Sequence, residues 1–183
     1  RPEAQAACER VHASLTRAIA ATARAPSAQT RAHAVSADAQ AAEVLPDYAD
    51  FRQRYQSMQQ TMENDIGELR QRLRVMLAAA TPGMARLATV DAVMERSLGG
   101  RERSLLASVP GLLGVHFGRL RDAHRDAQRD AQAAAEANAD APAAPPSRAW
   151  LRTFLDDMHS VLLAELEVRF QPVEGLLAAL RTR

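Results

Sequence analysis

The feature that most constrains this chain is a seam of large apolar residues between about Asp47 and Ala80. Tyr48, Phe51, Tyr55, Met58, Met62, Ile66, Leu69, Leu73 and Met76 follow one another at spacings of 3, 4, 3, 4, 4, 3, 4 and 3. Steps of three and four place successive residues on one face of an α-helix, whereas a strand needs steps of two. Arg, Gln, Glu and Asp occupy nearly every position between them, so the remaining surface of the helix suits water. The spacing predicts a single helix spanning roughly 50 Å at 1.5 Å per residue. The repeated four-residue steps at Met58–Met62–Ile66 read as a stutter, which locally unwinds a heptad seam. The aromatic end (Tyr48, Phe51, Tyr55) and the aliphatic end (Leu69, Leu73, Met76) are expected to meet different neighbours.

The remaining segments repeat the helical pattern more weakly. Pro2 to Ala25 carries Val11, Leu15, Ala18, Ile19 and Thr22 on one face, and Arg10, Arg17 and Arg24 recur every seven residues as a solvated stripe. Residues 26–46 are rich in Ala, Ser and Gln and hold few large apolar side chains, so they read as a linker. Thr81-Pro82-Gly83 signals a helix start, with Thr81 as cap and Pro82 in the first turn. Met84, Leu87, Val90, Met94 and Leu98 then mark a short helix, which Gly99-Gly100 is expected to end. A further helix is expected from about Arg101, carrying Leu105, Val109, Leu112, Leu113, Phe117 and Leu120, with a kink or break near Leu106–Pro110. Beyond Leu120, three Arg-Asp-Ala units predict a solvated helical extension with i,i+3 ion pairs at Asp122–Arg125 and Asp126–Arg129. Ser147 reads as the cap of a last helix, whose face from Trp150 to Phe170 is broad enough for two neighbours. Pro172 is expected to kink or restart that helix.

The chain therefore divides into an N-terminal helix over 1–25, a linker over 26–46, and a helical bundle domain over 47–183 with a flexible connector at about 137–147. The fold class is all-α, an elongated bundle of long helices with coiled-coil-like packing. Composition agrees: apolar content is 47%, much of it alanine, and aromatics are only 4%. Alanine favours helices while burying little area, so the core is expected to be thin and aliphatic.

Candidate chemistry is sparse. No Gly-x-Ser-x-Gly elbow or phosphate-cradling glycine loop occurs, and no catalytic residue is assigned. Asp156-x-x-His159 is a single copy, with the wrong acid, of the pair that di-iron bundles need. His116 and His124 share a face but show no carboxylate at ligand spacing, so no metal or other cofactor is expected. Cys8 reads as a small buried apolar residue, and a single cysteine suits a reducing compartment. Gly111, Gly114 and Gly118 mark a close approach between helices. All 23 basic residues are arginine against 22 acids. This reads as a compositional bias accompanying the alanine content rather than a device for anion recognition.

Two arginine clusters, Arg52, Arg54, Arg70, Arg72 and Arg74, and Arg119, Arg121, Arg125 and Arg129, support a rival reading as an Arg-mediated nucleic-acid-binding protein. Interleaved acids, few stacking aromatics and a net charge of +1 count against it. No transmembrane stretch and no signal-peptide core are visible. Because it begins at Arg1, the chain is expected to be part of a longer one.

The stretches DYADFRQRYQSMQQTMENDIGELRQRLRVMLA, VDAVMERSLGGRERSLLASVPGLL with HFGRLR, and LLAELEVRFQPVEGLLAALR resemble an uncharacterised proteobacterial family recorded as a domain of unknown function. The resemblance spans about residues 47–136 and 148–181 and implies no activity and no assigned site. Members tend to be encoded near motor-like inner-membrane proteins and OmpA-like envelope proteins, which implies a cytoplasmic accessory to such an assembly. The expectation is a cytoplasmic, non-enzymatic helical scaffold or adaptor. It self-associates or docks on a helical protein partner through its seam from Tyr48 to Met76.

Overall fold

A computed structural model describes residues 2–24, 46–137 and 148–182 of the chain. These form five α-helices, with no strand among the described residues. They are α1 (Pro2–Thr22), α2 (Tyr48–Ala78), α3 (Pro82–Leu106), α4 (Val109–Ala137) and α5 (Ala149–Arg181). The linker expected at 26–46 and the connector expected at about 137–147 lie, apart from their end residues, outside the described residues, as does the cap expected at Ser147.

Helix starts follow local chemistry. The Asp47 carboxylate accepts from the Ala49 N–H at 3.3 Å, and the Thr81 hydroxyl accepts from the Met84 N–H at 3.2 Å, with Pro82 in the first turn. Both satisfy amides that have no partner within the helix. Two expectations about helix ends are corrected. Gly99-Gly100 does not end α3, which continues to Leu106. Each glycine weakens a helix by only about 1 kcal/mol, and ion pairs to α2 pin α3 on either side: Arg74 to Glu95 at 2.5 Å and Arg103 to Glu63 at 3.3 Å. The break falls at Ala107-Ser108, within the stretch Leu106–Pro110 where a kink or break is expected, so Pro110 lies in the first turn of α4, where its missing N–H is harmless. Pro172 does not restart α5, which is one helix from Ala149 to Arg181. The carbonyl that the proline leaves unpaired belongs to Val168, an exposed residue, so it can turn to water.

Side-chain pairings give the helix directions. Phe51 meets Phe154, and Tyr55 meets Glu165, so α2 and α5 run in the same sense. Arg72 meets Glu3 and Thr22 meets Met58, so α1 runs against α2. Arg74 meets Asp91 and Gln59 reaches the Leu106 carbonyl, so α3 also runs against α2, and α4 continues past the Tyr48 end. The result is a bundle whose central pair, α2 and α5, touches all three other helices, with α1 on one side and α3–α4 on the other.

The α2 seam forms the heart of the core. Phe51, Tyr55, Met58, Met62, Ile66, Leu69, Leu73 and Leu77 are buried, while Tyr48 and Met76 are half-buried. The last step of the predicted seam is therefore corrected from Met76 to Leu77. Buried positions from Phe51 to Leu77 recur on average about every 3.7 residues, nearer a straight helix than a 3.5-residue supercoil. The aromatic end meets Phe117 of α4 and Phe154 of α5, with ring centroids 5.8 and 5.3 Å from Phe51. The aliphatic end meets α1, where Leu69 lies beside Ala7 and Val11. Ala4, Ala7, Cys8, Leu15 and Ile19 of α1 belong to the same core. Burial pushes the Cys8 thiol up from its ordinary pKa.

Candidate interaction surface

The structure separates the residues singled out in the sequence. The seam from Tyr48 to Met76 is not available to a partner, because α1, α3, α4 and α5 of the same chain cover it. Of the three glycines, only Gly114 lies at a close approach. A Cβ there would come within 2.8 Å of Tyr48 Cε1, and the Tyr48 hydroxyl donates to the Pro110 carbonyl one turn earlier. Gly111 and Gly118 face open space, so the expected three-glycine contact reduces to one.

The arginine clusters also divide. Arg70 and Arg74 grip Asp91, at 2.6 and 3.0 Å, and both reach Glu95. Desolvation pushes the Asp91 carboxyl up, but the hydrogen bonds and charges of Arg70 and Arg74 outweigh it and hold the carboxyl below its ordinary value. Arg54 donates to the carbonyls of Thr22 and Arg24, capping the end of α1. Of the two pairs expected beyond Leu120, Asp126–Arg129 forms at 2.9 Å, whereas Asp122 lies 3.8 Å from Arg121 rather than beside Arg125. His116 does have an acidic neighbour, brought from α5: its Nε2 lies 2.7 Å from Asp157 Oδ2. Among the described residues, no group of three or more His, Cys, Asp or Glu is placed to hold a metal ion.

Sequence reasoning missed a buried polar network at the α2–α5 contact. Glu165 accepts from the Tyr55 hydroxyl at 2.8 Å, from Gln59 Nε2 at 3.0 Å and from Arg169 Nε at 2.9 Å. Gln59 also donates to the Leu106 carbonyl at 3.0 Å, tying the end of α3 into the network. Glu165 and Arg169 are the only buried charged residues among those described. Burial first, then the adjacent Glu165 charge and its hydrogen bond, drive the Tyr55 hydroxyl far above its ordinary pKa. The signal was in the periodicity, since Glu165 and Arg169 continue the helical spacing of Leu162 and Leu166 and so fall on the apolar face.

Also missed was the orientation of α3. Leu87, Val90, Met94 and Leu98, which mark this helix in the sequence, and Leu105 are all exposed, Leu105 at 65%. The face turned to α2 and α5 carries Ala88, Asp91, Ala92, Glu95, Gly99 and Glu102 instead, and only Ala88 of α3 is fully buried. At about 100° per residue, Leu87, Met94, Leu98 and Leu105 fall within about 40° of one another, roughly a quarter turn from that inward face. Leu112 and Val115 of α4 are exposed as well. A polar face packed inward beside an apolar flank left in water inverts the usual arrangement of a bundle helix. Scattered exposed leucines need no explanation; here five large apolar residues recur at helical spacing along one flank. The signal was present in the sequence: the three acids of α3 share a face with its small residues, and α2 carries two arginines able to meet them.

Fold and surface together define the protein as an all-α helical bundle with an uncovered apolar flank on α3. Residues 1–182 match the family described as Protein of unknown function (DUF3348), and the chain belongs to that family. The match takes in α1 as well as residues 47–136 and 148–181. Searches of curated proteins and of solved structures returned no match. No helix among the described residues is long and apolar enough to cross a membrane.

Proposed function

We propose that this protein is a non-enzymatic helical adaptor of the cytoplasm that receives a helix of a protein partner on the exposed flank of α3. The observation that carries the reading is the inverted polarity of α3, which leaves Leu87, Val90, Met94, Leu98 and Leu105 in water on a helix anchored by ion pairs. Helix-in-groove recognition uses anchors at such three- and four-residue steps. The earlier candidate, the α2 seam, is replaced because it is buried within the chain. Arginine-driven binding of nucleic acid has less support, since Arg70 and Arg74 are held by Asp91 and Glu95.

Native co-purification with mass spectrometry, paired with light scattering, tests the proposal. The expected result is a stoichiometric helical partner, lost in a Leu98→Asp/Leu105→Asp variant that melts at the wild-type temperature. A complex that survives the double substitution would refute the site. Duplex DNA binding that falls steeply with salt would refute the class.

A further inference from the structure

Resting on that reading, we infer that the partner helix is acidic, with a carboxylate facing Arg101 inside its apolar seam. The charges of α3 are sorted by side. Its three acids, Asp91, Glu95 and Glu102, lie on the half-buried face, while its four arginines, Arg86, Arg96, Arg101 and Arg103, are all exposed. Asp91 and Glu95 are neutralised by Arg70 and Arg74 of α2, and Arg103 by Glu63. Among the described residues no carboxylate pairs with Arg86 or Arg101. The exposed flank is therefore apolar and cationic.

Arg101 has a particular place in it. Leu87, Val90, Met94, Leu98, Arg101 and Leu105 follow at spacings of 3, 4, 4, 3 and 4, so Arg101 occupies a seam position rather than an edge. A helix laid along this flank would cover Arg101, and an unpaired guanidinium removed from water is costly. A facing carboxylate offsets that cost, and a polar residue at one seam position also fixes register and orientation. Arg86, fifteen residues earlier and about 22 Å along the axis, meets the same partner at its edge and favours a second acid there. An anionic lipid surface shares the charge but fits less well. The flank carries no Trp, Tyr or Phe, whereas helices that lie in the lipid interface draw on such residues.

The test uses the whole protein and three synthetic amphipathic helices, identical in their leucine seam, with Glu, Lys or Leu at the central seam position. Fluorescence anisotropy at low and high salt is run beside flotation with phosphatidylserine vesicles. The Glu peptide is expected to bind about tenfold more tightly than the Lys peptide at low salt, and less so at high salt. Arg101→Glu is expected to reverse that order, with its melting temperature unchanged because the residue is exposed. Equal binding of all three peptides, abolished by Leu98→Asp, would overturn the acidic partner while leaving the apolar seat intact. Failure of every peptide would overturn the seat itself. Flotation with the vesicles through Arg86 and Arg101, without peptide binding, would overturn the partner's class.

Discussion

Arg169→Met breaks the one fully buried ion pair among the described residues and should be the most informative single substitution. Arg169 donates Nε to Glu165 Oε1 at 2.9 Å, and both residues are buried. Methionine fills much of the same stem volume, so the change removes charge more than packing. Glu165 would retain the Tyr55 hydroxyl and Gln59 amide, at 2.8 and 3.0 Å, but no cation. Stranding one partner of a buried pair costs about 3–5 kcal/mol. At 2–4 °C per kcal/mol for a chain of this size, the melting temperature should fall by about 6–20 °C. Replacing the whole unit should recover most of the loss, since apolar residues of similar volume are often neutral there. Glu165→Leu/Arg169→Met still leaves the buried Tyr55 hydroxyl without an acceptor, at about 1–3 kcal/mol. The triple variant that adds Tyr55→Phe should therefore be the most stable of the three. Urea titrations followed by circular dichroism give the full cycle. A loss below about 1 kcal/mol for Arg169→Met, or a triple variant no better than the single, would refute the reasoning.

Three further outcomes are expected. Gly114→Ala should destabilise by about 1–3 kcal/mol, because its Cβ would meet the Tyr48 ring. Gly111→Ala, a helical site facing open space, should instead stabilise by about 0.5–1 kcal/mol, and opposite shifts in thermal melts check the pair. The lowered pKa of Asp91 means that its stabilising contribution is present above the ordinary value of 3.8 and lost as pH falls through its lower folded value. Asp91→Asn should therefore flatten the acid limb of stability, read by denaturant titration below about pH 4. The raised pKa of Tyr55 works at the other end. The unfolded chain loses that proton from about pH 10, whereas the folded one holds it, so stability should fall with rising pH, and Tyr55→Phe should reduce the slope.

Periodicity and local chemistry alone determined the helical class, the span of α2, the cap at Thr81 and the buried face of α1. Those properties follow from which residues share a face and which side chain can reach an orphan amide, and both are local. Spacing could not decide what covers each face. The α2 seam and the α3 stripe obey the same rule of threes and fours, yet the first lies in the core and the second in water. The difference lies in the face each helix turns to its neighbours: α3 presents Asp91 and Glu95 to Arg70 and Arg74 of α2, while its leucines lie on another flank. The stop expected at Gly99-Gly100 and the restart expected at Pro172 were misjudged for a related reason. Gly99-Gly100 and Pro172 carry modest local penalties that contacts to α2 outweigh in the first case and a solvent-facing carbonyl softens in the second. The sequence by itself determined that the chain packs helices through a long apolar seam. Tertiary structure alone decided that this seam is internal and that the apolar flank left exposed belongs to α3, because burial depends on the pairing of faces from distant segments.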